Sequence, residues 1–241
     1  MLTSTRAIAV LASGQGSNFE ALAAFAARGD LGAPIVLLAS DHAEAPALER
    51  ARRAGIEALA IPGGRFRTRL EDERSWIDAL KVRAVDLVVL AGFMRRLHAE
   101  FLGAFPDRVL NIHPSLLPAF PGLDAIGQAL RHGVRVTGCT VHLVTDEVDG
   151  GPILGQAAVE VRDDDSHDSL AARIHDAEHR LYPAMVRRCV TEPWRREGRR
   201  IVFGESGSSA APGASWGTSI SGEPGGPTAS AAALPGASTH A

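Results

Sequence analysis

Through its first 110 residues the chain alternates short apolar runs with longer amphipathic ones. The runs AIAVLA (7–12), PIVLLAS (34–40), EALAI (57–61), DLVVLAG (86–92) and RVLNI (108–112) have strand length and are largely apolar, as strands covered on both faces should be. Between the first four lie SNFEALAAFAARG, APALERARRAG and TRLEDERSWIDALKVR, all with helical spacing. Gly29 and Gly55 stand where left-handed helix C-caps are expected. Strands that alternate with helices predict an α/β fold: a mainly parallel twisted sheet with helices on both faces.

After residue 111 the rhythm changes. Loops rich in Pro and Gly lead to VTGCTVHLV (136–144), whose alternation predicts a half-exposed strand. DEVDGGP reads as a turn and ILGQAAVEV (153–161) as a further strand. Residues 165–188 have helical spacing, with Ser166 or Asp165 as N-cap, and Tyr182-Pro183 predicts a kink or an early stop. From about Glu205 the chain is nearly all Gly, Ala, Ser, Pro and Thr. Such a segment cannot bury enough surface to offset its ordering entropy. The expected organisation is one domain over 1–204, with halves of about 1–106 and 107–204, and a disordered low-complexity tail over 205–241.

Composition narrows the function classes. The 241 residues are 45% hydrophobic, enough for a packed core, and the net charge of -3 gives no electrostatic reason to expect nucleic acid or acidic lipid as a partner. Cys139 and Cys189 form neither a disulfide framework nor a metal-ligand spacing. The first apolar run is too short for a secretory leader, and no stretch reaches membrane-spanning length. The expectation is a cytoplasmic protein, monomer or homodimer, acting on small molecules without a metal.

IAVLASGQGSNFEAL reads as strand, glycine loop, helix. Loop amides and the positive end of the helix dipole make an anion site. Phe19 stands where a dinucleotide fingerprint needs Gly or Ala, and no GK[ST] follows. Ser17 and Asn18 add side-chain donors at the helix start, which suits a terminal phosphate monoester. A tight strand-to-helix turn of no further purpose is the plainer reading of this loop taken alone.

NIHPSLLPAFPG (111–122) ends the fifth apolar run in an asparagine and a histidine, then restricts the chain with three prolines. Taken together, SGQGSN, VVLAGFMRRL, LNIHPSLLPAFPG, HLVTDEVDGGPIL and EHRLYP resemble the phosphoribosylglycinamide formyltransferases over about residues 7–190. NIHPSLLP alone is specific to the wider folate-dependent formyltransferase group. The resemblance implies formyl transfer from 10-formyltetrahydrofolate to the amine of glycinamide ribonucleotide, a step of purine synthesis, with no metal. Other enzymes that use the same folate, such as methionyl-tRNA formyltransferase or a hydrolase, are the alternatives. A catalytically silent nucleotide-binding module is the rival from another class, and Asn111, His113 and Asp149 speak against it.

The chemistry agrees with that resemblance. Acyl transfer from a formamide to an amine passes through an oxyanion, and each preorganised donor aimed at it supplies about 10²- to 10³-fold in rate. Asn111 and His113, spaced i, i+2 on a strand end, put two donors on one side. Asp149 matches the family's carboxylate, which favours the imidazolium of His113 and shares proton transfer with it through a water. The motif can therefore act only if Asp149 folds back beside His113. By position, the resemblance puts the phosphate loop on Gly16, Ser17 and Asn18, and further ribonucleotide contacts on His175 and Glu178. His175 stands where glutamine or lysine is usual. It puts the pterin grip on Met94, Arg95, Arg96 and Leu97, mostly through backbone groups. Thr145, Asp146, Glu147, Val148 and Asp149 form the other folate wall with Asn111, and Arg69 approaches the glutamate tail. Asp124 replaces a usual histidine and Leu143 a common aromatic.

Overall fold

The computed structural model describes residues 7–66 and 68–204, and the expected tail over 205–241 lies outside them. The strands are β1 (Ile8–Leu11), β2 (Ile35–Ser40), β3 (Glu57–Ala60), β4 (Leu87–Leu90), β5 (Val109–His113), β6 (Val136–Leu143), β7 (Ile153–Glu160), β8 (Trp194–Glu197) and β9 (Arg200–Phe203). The helices are α1 (Ser17–Ala27), α2 (Pro46–Arg53), α3 (Glu73–Lys81), α4 (Ala99–Ala104), α5 (Ala125–His132) and α6 (His167–Thr191). One sheet runs in the order β3-β2-β1-β4-β5-β6-β7-β9-β8. Its first five strands pair in parallel, and β6 then pairs antiparallel with both β5 and β7.

Side chains alternate across the parallel strands and feed two cores. Ile8 and Val10 of β1, with Leu87 and Val89 of β4, pack with the buried faces of α1, α2 and α6. Ala9 and Leu11, with Val88 and Leu90, pack on the other side against Trp76, Ile77 and Leu80 of α3 and Phe101 of α4. Helices therefore cover both faces, as the alternation of runs predicts. Gly29 and Gly55 follow α1 and α2 with φ of 78° and 70°, the left-handed geometry expected of them.

Three expectations for the second half need correction. β6 is not half-exposed: only its first residue, Val136, is exposed, because Cys139, Val141 and Leu143 enter the core while the 114–119 loop covers the other face. There Thr140 Oγ1 accepts from Leu117 N–H (3.0 Å) and donates to Ser115 O (2.6 Å), and Gln156 Nε2 donates to Leu117 O (2.9 Å). Within this loop the Leu117-Pro118 peptide is cis.

The early stop near Pro183 does not occur, and α6 continues to Thr191. An interior proline costs roughly 3 kcal/mol. Leu170, Ile174 and Val186, all fully buried along the helix, contribute about 1.5–3 kcal/mol each and outweigh it. Tyr182 adds a hydroxyl that donates to Leu90 O (2.8 Å) and Leu110 O (3.2 Å). Ser166, in a capping box with Ser169, starts the helix. The third correction is one of omission. The short helices α4 and α5 and the β8–β9 hairpin are not among the predicted elements.

Candidate active site

The cleft lies at the C-terminal ends of β1, β4 and β5, has a volume of about 620 Å³, and is lined by the glycine loop, residues 90–97, 111–114, 122–126 and 144–149. Such crevices outside the carboxyl ends of parallel strands are the usual ligand position of open α/β sheets. Asn111 and His113 stand at the end of β5, where the sheet changes from parallel to antiparallel pairing.

At the glycine loop, Gly16 adopts φ 78° and caps α1. A Cβ there would also lie 2.8 Å from Ala47 Cβ, so α2 packs against the loop only because this residue is glycine. The first intrahelical bond runs from Glu20 N–H to Gly16 O (3.0 Å), which leaves the preceding first-turn amides available at the cleft. Phe19, the residue that breaks a dinucleotide fingerprint, is fully buried.

The Asn18 side chain has a partner of its own. Its Nδ2 donates to Glu178 Oε2 (2.8 Å), so one of its two N–H bonds is committed to a carboxylate. Glu178, which in isolation reads as an exposed helix residue, is 4% exposed. Burial raises its carboxyl above the usual range, against the lowering effects of the Asn18 hydrogen bond and of His175. His175 lines the same end of the cleft.

Asp149 returns to His113 by a specific piece of chain geometry. Gly151 packs so closely under β6 that a Cβ would lie 1.7 Å from Leu143 O, and Leu143 N–H donates to Pro152 O (2.9 Å). The reversal allowed by that glycine, with Asp149 at φ 51°, brings Asp149 Oδ2 to 3.4 Å from His113 Nδ1. Gly122 N–H donates to the same carboxylate oxygen (2.8 Å), and His113 Nε2 lies 2.8 Å from Phe120 O. A carbonyl only accepts, so that nitrogen carries a proton. Burial would raise the Asp149 carboxyl. The hydrogen bond from the Gly122 amide and the His113 ring act against it, and the carboxyl lies below its ordinary value.

His142 is the site residue absent from the sequence expectations. It faces Asn111 across the β5–β6 ladder, and its Nε2 lies 3.2 Å from Asn111 Nδ2 and 3.7 Å from Asp149 Oδ1. Its Nδ1 lies 2.9 Å from Leu143 O and must donate to it. The neutral ring therefore presents a bare Nε2, which accepts from the Asn111 amide, the shorter of its two contacts. Two apolar-flanked polar residues at alternate positions, T-V-H, were the available signal. They mark one face of a strand, but the facing residue is set only by the register.

On the wall where the resemblance expects the pterin, residues 93–97 alternate in burial: Phe93, Arg95 and Leu97 are buried, while Met94 and Arg96 are exposed. Met94 N–H donates to Ser13 Oγ (2.9 Å), Arg96 N–H to Thr68 O (2.8 Å), and Leu70 N–H to Arg96 O (3.4 Å). Among the described residues, the backbone N–H and C=O of Arg95 and the N–H of Leu97 have no such partner, and both residues line the cleft. Thr145, Asp146, Glu147, Val148 and Asp149 line the opposite wall. Arg69 is exposed and is not among the lining residues; Thr68 is.

The departures from the family pattern also resolve. Asp124 caps α5 by accepting from Gly127 N–H (3.1 Å) and pairs with Arg131 (2.9 Å). Leu143 is fully buried in the core. Cys139 is buried, and burial pushes its thiol up to about 12, away from nucleophilic use. No cluster of His, Cys, Asp and Glu among the described residues could hold a metal.

This fold and site define a class, and the sequence comparisons agree with it. Residues 6–186 match the model of the formyl transferase family, and the chain belongs to that family. It is 41% identical to the phosphoribosylglycinamide formyltransferase of Bacillus subtilis over 74% of this chain and 92% of that protein. A glycinamide ribonucleotide transformylase structure from Symbiobacterium toebii aligns with TM-score 0.80 at 46% identity, over 83% of this chain and 95% of that one. The human trifunctional purine biosynthetic protein adenosine-3 is 42% identical over 74% of this chain and 18% of its own length. Within the family, then, the chain stands among the phosphoribosylglycinamide formyltransferases.

Proposed function

We propose that Asn111, His113 and Asp149 carry out direct formyl transfer from 10-formyltetrahydrofolate to the amine of glycinamide ribonucleotide. The observation that carries this reading is the 3.4 Å approach of Asp149 to His113 at the middle of the cleft, beside Asn111 on the same strand end. The ribonucleotide phosphate sits on the amides of Gly16, Ser17 and Asn18, and Glu178 and His175 face its ribose and amine. The pterin edge takes the unpaired backbone groups of Arg95 and Leu97 between Met94, Arg96 and the 145–149 loop. Arg69, on the exterior, attends the glutamate tail.

The amine nitrogen attacks the formyl carbon, and the carbonyl oxygen becomes an oxyanion held by Asn111 Nδ2–H and a ring N–H of His113. With Nε2–H held by Phe120 O, Nδ1 is the ring position open to the ligand. The Asp149 carboxylate, 3.4 Å from Nδ1, favours a proton on that nitrogen as charge builds on the oxyanion. The attacking nitrogen then loses a proton and the folate N10 gains one, through Asp149, His113 and a water. Collapse breaks the bond from carbon to N10, giving formylated ribonucleotide and tetrahydrofolate. No side chain forms a covalent intermediate.

This reading makes the protein a cytoplasmic enzyme of small molecules, monomer or homodimer, without nucleic acid, membrane or metal partners. Its two buried free thiols suit a reducing compartment. The direct test follows folate absorbance with purified protein, 10-formyltetrahydrofolate and glycinamide ribonucleotide. Turnover that requires both substrates is expected; equal folate turnover without the ribonucleotide would make the protein a hydrolase and overturn the assignment.

A further inference from the structure

Arg95 lies in the segment that lines the folate side of the cleft, yet its guanidinium is directed into the protein. Its Nε donates to Asp41 Oδ2 at 2.6 Å, with side-chain exposures of 7% and 0%. Nη1 reaches Arg69 O at 3.5 Å. Gly63 lies so near the guanidinium that a Cβ there would stand 2.8 Å from Arg95 Cζ. One side chain thus joins the ends of three other segments: the residue after β2, the chain after β3, and the stretch leading to α3.

Stability is a poor explanation for this arrangement. Taking two charges out of water costs more than their attraction returns unless their hydrogen bonds are complete, and well-packed apolar residues do as well or better. Here they are incomplete, since Asp41 Oδ1 is buried without a hydrogen-bond partner. What the pair does supply is direction. With the Arg95 side chain pinned on one side of the segment, and Met94 and Arg96 bonded through their backbones, the Arg95 and Leu97 backbone groups have one orientation available to them.

We propose that the Asp41–Arg95 ion pair positions the backbone edge of residues 94–97 and so sets the affinity for the folate co-substrate, Arg95 being a positioning residue and its charge no ligand contact. The inference rests on the reading of this cleft wall as the folate side. It separates two parts of one residue: the main chain of Arg95 meets the ligand, and its side chain holds that main chain in place.

Two proteins test this by isothermal titration, with tetrahydrofolate and glycinamide ribonucleotide as separate ligands. Asp41→Asn keeps the shape and removes the charge. The double variant Asp41→Leu/Arg95→Met removes both charges while keeping apolar volume, and its thermal melt establishes that it folds. The expected result is a loss of tetrahydrofolate affinity of about tenfold or more in both, with ribonucleotide affinity unchanged. A folded double variant that binds tetrahydrofolate like the parent would overturn the proposal, and so would an equal loss for both ligands. A parent protein that bound the ribonucleotide but no tetrahydrofolate would instead remove the folate assignment beneath it.

Discussion

Asp149 Oδ2 bridges two partners from the same proline-rich segment: the His113 ring, 3.4 Å away, and the Gly122 amide, 2.8 Å away. One carboxylate therefore both faces the imidazole and closes the loop that holds it. Asp149→Asn separates these duties, because asparagine tolerates the left-handed backbone and still accepts from Gly122. Its kcat should fall by about 10²- to 10⁴-fold while both KM values stay near those of the parent. Steady-state kinetics with each substrate varied decide this, and a wild-type kcat would remove Asp149 from the mechanism.

The same carboxyl is held below its ordinary value, so its ionised form favours the fold. That contribution is present above the unfolded value of about 3.9 and fades as the pH falls through the lower folded value. The stability difference between parent and Asp149→Asn should accordingly shrink on acidification. Thermal melts across that range measure it.

Glu178 has the opposite sign. Burial raises its carboxyl, so the fold favours the protonated form, and stability declines as pH rises from the unfolded value of about 4.3 through the raised one. Glu178→Gln keeps an acceptor for Asn18 and removes the charge. Its Tm should exceed that of the parent at neutral pH, the gain vanishing in acid, while its KM for the ribonucleotide rises. A Tm that tracked the parent at every pH would show that the buried charge is compensated elsewhere.

Gly151→Ala would drive a methyl group into the Leu143 carbonyl. The expected cost is about 1–3 kcal/mol in urea unfolding. Because the 145–149 loop must shift to relieve the clash, kcat should drop as well, by more than the unfolded fraction accounts for. Activity retained in proportion to folded protein would mean that the loop relaxes without moving Asp149.

His142→Ala removes the acceptor that orients the Asn111 amide while leaving Asn111 itself in place. A loss of about tenfold in kcat with unchanged ribonucleotide KM is expected, less than for Asn111→Ala, because one preorganised donor loosens and none is deleted. Equal losses in the two variants would assign His142 a direct part in the reaction.

The parallel half of the sheet was legible because its strands are single apolar runs, the first four separated by helical spacing. Asn111, His113 and Asp149 were legible as residue types with a chemical task and a family pattern. What escaped depended on partners distant in the chain. β6 reads as half-exposed because Thr140 and His142 are polar at alternate positions, and only distant segments, the 114–119 loop over Thr140 and Asp149 beside His142, bury that face. The β8–β9 segment, WRREGRRIVF, carries too many charges to read as strand, yet the antiparallel pairing of Trp194 with Phe203 forms it. Pro183 signals a helix end locally, and the buried stripe on both of its sides overrides it. The Glu178 partner of Asn18 is likewise invisible until α6 packs beside the glycine loop.

The phenol of Tyr182 contacts carbonyls on two neighbouring strands, one residue before Asn111 on β5 and at the end of β4, where the 92–97 turn begins. On its own helix it follows Glu178 by a single turn. A common datum thus indexes the carboxylate at one end of the cleft, the amide at its centre and the backbone edge at the other. The span from one end of the cleft to the other is measured off one oxygen atom in the core.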